Sequence, residues 1–372
     1  MSAKSVYVPR LLEIRAGVLP DVVDVLRGAG FELGRTLVGT GGGETAAVAA
    51  TVVRQLRVAG ACVVAREAAP TGEGVDRLVR SIRDARVETC VAVGGGRVID
   101  AVKQAASLTQ TPFVSVPTSL AHDGISSPIA SVVDADGRRL SVGATMPEGV
   151  VVDLDVVRRA PVRTSRAGAA DLLSNLTALE DWRLAAERGH DHVDGFSALI
   201  AENAARSFLD VAAEPSRRSL EALARGLVLS GLAMAVAASS RPCSGAEHLI
   251  SHSLDRLLGP RARLHGEQVA LGTLIAAVAQ GSLTAELLAA YDAWSLPSSA
   301  ADLGLERDVV VEAVIRARDT RPARYTILDE IDVRRRSVEE LVDTALGSRR
   351  ALRLAAGGGP ASPRRAARRP EA

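Results

Sequence analysis

The chemically richest part of this 372-residue chain lies between positions 91 and 131. A triple glycine, Gly94–Gly96, follows an apolar, β-prone segment and precedes a helical one. Glycines let the backbone approach a ligand closely, and a helix N-terminus offers unpaired N–H groups and a positive dipole end to a phosphate. The next apolar segment ends in a loop, residues 117–124, that contains hydroxyl, imidazole and carboxylate groups. This order predicts chemistry at a bound nucleotide.

A second set of chemical groups lies further along the chain: Asp171, His248 and His265. One carboxylate and two imidazoles suit a borderline divalent ion such as zinc, and three protein ligands leave a position open for water or substrate. His252 follows His248 by four residues, so both project from one helical face. From the residues alone, a structural histidine is commoner than a ligand. Nearby acids are predicted to support the ligands or to lie on helix surfaces: Glu180, Asp181 and Glu247.

Residues 94–103 (GGGRVIDAVK) and 115–128 (SVPTSLAHDGISSP) together resemble the signature of the sn-glycerol-1-phosphate dehydrogenases. That family belongs to a wider group of metal-dependent dehydrogenases that includes glycerol dehydrogenase and is related in fold to dehydroquinate synthase. The joint spacing of GGGxxxD, xVPT and HDGxxSP is far more specific than a triple glycine. The resemblance runs from about Leu37 to Glu330, and the first 30 residues match only loosely.

The resemblance implies the roles of particular residues. It implies a dinucleotide site made of Gly94, Gly95, Gly96, Arg97, Val98, Asp100, Thr118, Ser119 and Ser127. It implies a metal site made of Asp171, His248 and His265, with Asp123, Asp171 and His252 at the substrate. A proton would reach the substrate oxygen through His252, Asp123 or water. Local turn formation or helix capping is the alternative for Thr118 and Ser119, and Asp123 has the alternative of an ordinary loop carboxylate.

The reaction implied is a reversible reduction of dihydroxyacetone phosphate to sn-glycerol 1-phosphate by NADH or NADPH, with the metal ion as Lewis acid. Three alternatives stay open at this point. One is a dehydrogenase of another small polyol, and another is a dehydroquinate-synthase-like cyclase that eliminates phosphate. The third is a nucleotide-binding protein without catalytic activity. The HDGxxSP loop favours the dehydrogenase over the cyclase.

The identities of both cofactors stay open in the sequence. Arg66 and Glu67 stand side by side after a predicted strand at 61–65. An acid at such a position favours the ribose hydroxyls of NAD, whereas an arginine favours the extra phosphate of NADP. Zinc is the expected metal, and the same ligand set accommodates iron or nickel.

The elements that must position these groups change in character near residue 158. Before it, strand-like and helix-like segments alternate, which is typical of a parallel α/β sheet. Strands are predicted at 36–38, 61–65, 90–93, 113–116 and 149–153, helices at 44–59, 75–83 and 98–108, and a hairpin from 129–133 and 140–142. After it, helices are predicted at 165–188, 195–213, 220–239, 245–258, 265–287, 308–318 and 337–346.

The predicted fold is therefore an α/β nucleotide-binding domain with a parallel sheet at 1–158, followed by an all-helical metal and substrate domain at 159–350. This is the dehydroquinate-synthase-like arrangement that the resemblance implies. Residues 355–372 form a low-complexity tail that we expect to be disordered. The cleft between the two domains is the expected active site.

Composition excludes several classes of partner. The net charge of +1 and the 2% of aromatic residues argue against nucleic acid. The apolar run at 226–238 is too short for a membrane span, and the N-terminus lacks the apolar core of a signal peptide. Three scattered cysteines fit a reducing cytoplasm. We therefore expect a cytoplasmic protein. The resemblance implies a small phosphorylated triose or polyol as substrate, and a homo-oligomer is expected because domain-cleft enzymes of this kind are commonly oligomeric.

Lysine is almost absent from the chain, which contains only Lys4 and Lys103. Lys103 lies in the predicted helix that follows the triple glycine. Two roles are open for it, one beside the cofactor phosphates and one on a solvent-facing helix surface.

Overall fold

The computed structural model describes residues 8–134, 137 and 139–347. Eight strands are present in this part of the chain: β1 (Leu11–Arg15), β2 (Arg35–Thr40), β3 (Cys62–Glu67), β4 (Thr89–Gly94), β5 (Phe113–Pro117), β6 (Ile129–Val133), β7 (Arg139–Gly143) and β8 (Gly149–Asp153). Six of them form a parallel sheet in the order β1–β8–β5–β4–β2–β3. Strands β6 and β7 form a separate antiparallel hairpin.

The central strands form because their sequences are apolar on both faces. Strands β4, β5 and β8 are buried at every residue, as expected for a parallel sheet covered by helices on both sides. The helices of this half are α1 (Val22–Gly28), α2 (Glu44–Val58), α3 (Gly72–Asp84), α4 (Gly96–Thr109) and α5 (Leu154–Arg159). Val91 and Val93 pack on the face that α2 covers, whereas Cys90 and Ala92 pack on the face that α4 covers.

The second half is helical throughout its described residues. Its helices are α6 (Val162–Leu173), α7 (Asn175–Glu187), α8 (Gly195–Leu209), α9 (Arg217–Ala237), α10 (Ala246–Leu258), α11 (His265–Gln280), α12 (Ala285–Trp294), α13 (Arg307–Arg316) and α14 (Arg335–Leu346). Helix α9 alone among the described helices is long and apolar enough to cross a membrane, but 61% of its most apolar window is buried inside the protein. It is a core helix of the fold.

The predicted fold class is confirmed, and so are the predicted strands of the sheet, with ends shifted by one or two residues. The sequence analysis missed β1. It was wrong to predict single helices at 165–188 and 265–287. The first is divided at Ser174, where α6 ends and α7 begins. The second ends because Gly281 adopts a left-handed conformation (φ +67°) that caps α11.

Two predictions about domain organisation stay predictions. The boundary proposed between residues 158 and 159 falls inside α5, which follows β8 directly. The tail at 355–372 lies outside the described residues.

Candidate active site

Two glycine-rich loops of the described residues meet at one point of the sheet. Strands β2 and β4 are neighbours, but the helices that follow them, α2 and α4, cover opposite faces. In open α/β sheets, ligands bind in the crevice outside the carboxyl ends of two strands related in this way. The loop at 41–43 follows β2, and Gly94–Gly96 follows β4. The predicted phosphate cradle therefore lies where this architecture places a nucleotide.

The three glycines of the second loop differ in what a side chain at their position would meet. A Cβ atom on Gly94 would lie 2.6 Å from Cβ of Val98, and one on Gly96 would lie 2.2 Å from Nε2 of His122. Gly95 is different, because the only atom near its added Cβ would be Oγ of Ser119, at 3.3 Å. Gly95 is also the N-cap of α4, whose first N–H groups have no partner within the helix. Gly95 is thus the least crowded of the three glycines, and it lies beside the unpaired amide donors of α4.

Several other predicted cofactor residues lie in this loop or against it. The Thr118 N–H donates to the Gly94 carbonyl oxygen at 3.0 Å. Arg97 is exposed, and Val98 is buried under the loop. Ser127 is buried, and its hydroxyl donates to the Ile129 carbonyl oxygen at 3.4 Å. Direct contact of these residues with a dinucleotide stays a prediction.

Lys103 occupies neither of the environments considered for it in the sequence. Its side chain is fully buried, and Nζ donates to the Gly124 and Ile129 carbonyl oxygens at 2.7 Å each. It also pairs with the buried Asp100 carboxylate at 3.2 Å. Lys103 therefore ties α4 to both ends of the segment 124–129. No periodicity marks this role, and the only signal in the sequence is the rarity of lysine.

We expect Lys103→Met to destabilise the protein by about 3–5 kcal/mol, because it leaves Asp100 buried and unpaired. Equilibrium unfolding in urea measures this change. The control is Arg77→Met, which removes an exposed ion pair with Glu73 and should leave the free energy of unfolding near the wild-type value. Equal unfolding midpoints for the two variants would contradict the assignment.

The predicted metal ligands come together at one point although they lie on three helices. Asp171 comes from α6, His248 from α10 and His265 from the first position of α11. Their ligand atoms all lie within 4.8 Å of one another. Oδ1 of Asp171 is 3.6 Å from Nε2 of His248 and 3.5 Å from Nε2 of His265. This buried oxygen has no hydrogen-bond partner among the described residues. The donor set fits a divalent cation.

The opposite ring nitrogens of both histidines are held by neighbours. Nδ1 of His248 lies 2.9 Å from the buried Glu247 carboxylate, and Nδ1 of His265 lies 3.3 Å from the Ser251 hydroxyl. Such contacts fix the ring orientation and the tautomer, and they direct Nε2 towards a metal. Glu247 also accepts a hydrogen bond from Thr177 at 3.0 Å. Glu247 therefore contacts His248, and its role in supporting a metal ligand stays a prediction.

The electrostatics of the cluster keep its carboxylate ionised. Burial alone would raise the pKa of Asp171, but the nearby imidazoles of His248 and His265 lower it to about 2. Burial opposes the charged form of His248, yet the neighbouring carboxylates of Asp171 and Glu247 raise its pKa to about 9, so a cation bound here must displace the proton of this imidazole. Burial and the charge of His248 lower the pKa of His265 to about 3. One carboxylate is thus held ionised between two imidazoles.

The predicted substrate residues lie beside this cluster. The ring of His252 is centred 6.0 Å from that of His265, and the Asp123 N–H donates to Oδ2 of Asp171 at 2.9 Å. Burial, followed by the charge of Asp171, raises the pKa of Asp123 to about 8. His122 joins the group, with its ring 6.5 Å from that of His265. From the sequence, His122 was expected only in the nucleotide loop, and its closeness to His265 was not predicted.

The two halves are joined by a seam of direct backbone contact, which we define as Gly168 and Gly231 with the loop residues Leu120 and Ser126. A Cβ on Gly168 would lie 2.2 Å from the Leu120 carbonyl oxygen, and one on Gly231 would lie 2.1 Å from Oγ of Ser126. The Ser126 hydroxyl donates to the Val228 carbonyl oxygen at 3.0 Å. Helices α6 and α9 thus approach the polar loop closely at positions where glycine leaves room for it.

Comparison with known proteins gives matches over both halves of the chain. The sequence profile of the iron-containing alcohol dehydrogenases matches residues 13–161. The chain is 37% identical over 331 residues to the NAD(P)+ glycerol-1-phosphate dehydrogenase of Methanosarcina mazei, covering 88% of this chain and 92% of that relative. It is 39% identical to the protein of the same name from Thermofilum pendens, covering 87% and 93%.

Solved structures show the same fold at lower identity. Glycerol dehydrogenase from Schizosaccharomyces pombe superposes with a TM-score of 0.77 at 18% identity, covering 95% of this chain and 92% of that chain. A probable glycerol dehydrogenase from Sinorhizobium meliloti superposes with a TM-score of 0.72 at 23% identity, covering 91% and 97%. The arrangement of a parallel sheet followed by a helical half is therefore shared with these structures.

Proposed function

This chain belongs to the glycerol-1-phosphate dehydrogenase family, and we propose that its cleft interconverts dihydroxyacetone phosphate and sn-glycerol 1-phosphate with NAD(P)H. The observation that carries the proposal is the loop 117–124, which touches both sites. At one end the Thr118 N–H is bonded to Gly94, and at the other the Asp123 N–H is bonded to Asp171. The eight-residue loop 117–124 thereby joins the proposed dinucleotide site at one end to the proposed cation site at the other.

Asp171, His248 and His265 are the residues that would hold a divalent metal ion, with zinc as our first choice and iron or nickel as alternatives. When bound, the ion supplies Lewis-acid polarisation of a carbonyl oxygen, and the reduced nicotinamide supplies hydride. Asp123 and His252 are the groups beside the cluster that can hold or pass a proton, and we assign them the proton that the product hydroxyl requires. Leu120 and Ile125, both buried, exclude water from beneath the loop.

We assign NAD and NADP as cofactors, with a preference for NAD. The Glu67 carboxylate ends β3 and is in register with Thr40, immediately before the loop at 41–43. It is exposed and has no hydrogen bond or ion pair to any described residue, whereas Nε of Arg66 donates to the Ser81 hydroxyl at 3.0 Å. A free acid at the end of this strand suits the ribose hydroxyls of NAD.

We expect His252→Asn to lower kcat about a hundredfold, because proton transfer by a positioned side chain typically contributes this much. Steady-state kinetics measures the loss, while metal analysis and NADH titration should give wild-type values. His192→Asn, at an exposed position between α7 and α8, serves as the control. Wild-type kcat in the His252 variant would remove it from the proton path.

The proposed function is tested by mixing zinc-loaded protein with dihydroxyacetone phosphate and either NADH or NADPH. Loss of reduced-cofactor absorbance with sn-glycerol 1-phosphate as product supports it, and the two rates give the cofactor preference. Absence of oxidation with metal and cofactor both bound would refute it.

The cyclase alternative regenerates its cofactor and is not favoured, since the relatives are glycerol-1-phosphate dehydrogenases. We further propose a cytoplasmic homo-oligomer, consistent with three free cysteines.

A further inference from the structure

Two partly buried arginines, Arg321 and Arg324, have no acidic partner among the described residues. Arg321 donates to the Ser240 hydroxyl at 3.1 Å, and Arg324 donates to the same hydroxyl at 2.9 Å and to the Ser244 carbonyl oxygen. No carboxylate of the described residues lies within 4.0 Å of either guanidinium. Other arginines are paired in this protein, for example Arg163 with Glu267.

The segment that carries these arginines runs along α10. Arg256, in the last turn of α10, donates to the carbonyl oxygens of Asp319 and Thr320 at 3.0 and 3.1 Å. Arg324 reaches Ser244, just before the start of the same helix. His252 lies four residues before Arg256 and therefore projects from the same face. The segment thus passes His252 on its way from one end of α10 to the other.

The positive charges of the two arginines act on each other. Burial, then the charges of Arg321 and Arg241, lower the pKa of Arg324 to about 9, against the negative charges of Glu247 and Asp191. Partly burying like charges with no carboxylate in direct contact is unfavourable. An anionic ligand between the two arginines would relieve this cost.

Both guanidiniums also keep unused hydrogen-bond donors. Each has five N–H groups, and bonds to described residues engage one in Arg321 and two in Arg324. The planar fork of an arginine matches phosphate geometry, and charge-assisted bonds of this kind are about twice as strong as neutral ones. The donors that remain suffice for a dianionic phosphate.

We propose that Arg321 and Arg324 bind the phosphate group of the substrate and so select a phosphorylated triose over its unphosphorylated analogue. This inference rests on the proposed function and locates its phosphate site. It is separate from the cofactor pyrophosphate, which we assign to the N-terminus of α4. With the phosphate held beside α10, the central carbonyl group of the three-carbon substrate would lie on the side of Asp171, His248 and His265.

The test compares dihydroxyacetone phosphate with dihydroxyacetone in zinc-loaded wild type, Arg321→Gln and Arg324→Gln. We expect the preference for the phosphorylated substrate, taken as the ratio of the two kcat/KM values, to fall about ten- to hundredfold through a higher KM. Arg321→Lys should restore part of the preference, because it restores the charge. Arg318→Gln is the matched control: it lies on the same segment, but its guanidinium is paired with Asp329 at 2.8 Å.

A second measurement separates this inference from the proposed function. Inorganic phosphate is titrated calorimetrically into each protein at saturating NAD+, so that the cofactor's own phosphate sites are filled. Wild-type preference and wild-type phosphate affinity in both glutamine variants would overturn the phosphate site and leave the dehydrogenase intact. If wild-type protein does not reduce dihydroxyacetone phosphate, the proposed function fails. The phosphate titration alone then tests the phosphate site. Weaker phosphate binding in both variants than in wild type supports the site, and binding equal to wild type refutes it.

Discussion

His265→Ala should abolish metal retention and lower turnover by roughly a thousandfold or more, the largest effect that we expect from one side chain. A loss of this size corresponds to about 4 kcal/mol of transition-state stabilisation, which lies within the range that a Lewis-acid metal supplies. The variant removes one of three converging ligands and leaves Oδ1 of Asp171 with His248 alone. Metal analysis after dialysis and steady-state kinetics measure the two losses.

The same variant should still bind NADH, because His265 belongs to α11 and the cofactor loop belongs to β4 and α4. His190→Ala is the matched control, since His190 is exposed and stacks on Tyr325. Undiminished activity in His265→Ala would remove the metal site from the mechanism. Loss of NADH binding together with activity would instead indicate a general structural defect.

Gly95→Val should weaken dinucleotide binding about a hundredfold or more while the metal stays bound. The added side chain enters the space beside the first N–H groups of α4, where we place the pyrophosphate. The backbone of Gly95 (φ −75°, ψ 179°) is extended, so valine adopts it without strain. Gly94 and Gly96 are poorer probes, because their side chains would collide with Val98 and His122.

Fluorescence titration with NADH and metal analysis test this prediction together. Gly195→Val is the control, since a Cβ at this first position of α8 meets nothing within 4 Å. Normal NADH affinity in Gly95→Val would refute the phosphate cradle. Loss of metal along with NADH would show that the substitution disturbs the fold rather than the cofactor site alone.

Local patterns sufficed for most of the fold, because apolar segments alternating with helical periodicity predict a parallel sheet covered by helices. The errors arise where an element depends on a partner far away along the chain, or where a single residue ends a helix. Strand β1 pairs with β8, which is more than 130 residues away along the chain. Nothing in the sequence of residues 11–15 indicates that partner. The end of α11 depends on one glycine, Gly281, inside a helical pattern.

The candidate site was predicted unevenly for a similar reason. The resemblance named Asp171, His248 and His265 as ligands, and the structure brings these three side chains together. The sequence analysis did not identify a phosphate site, because arginine accounts for all but two of the 45 basic residues and no motif distinguishes Arg321. What distinguishes Arg321 is partial burial next to Arg324 without a carboxylate partner among the described residues, and that is a property of three-dimensional packing.

The seam at Gly168 and Gly231 has a mechanical consequence. Backbones in direct contact cannot slide or approach further without collision, since packed interiors are nearly incompressible. We therefore expect the loop from Leu120 to Ser126 to move with α6 and α9 as one unit. Any opening of the cleft would then change mainly the parts that lie away from these contacts.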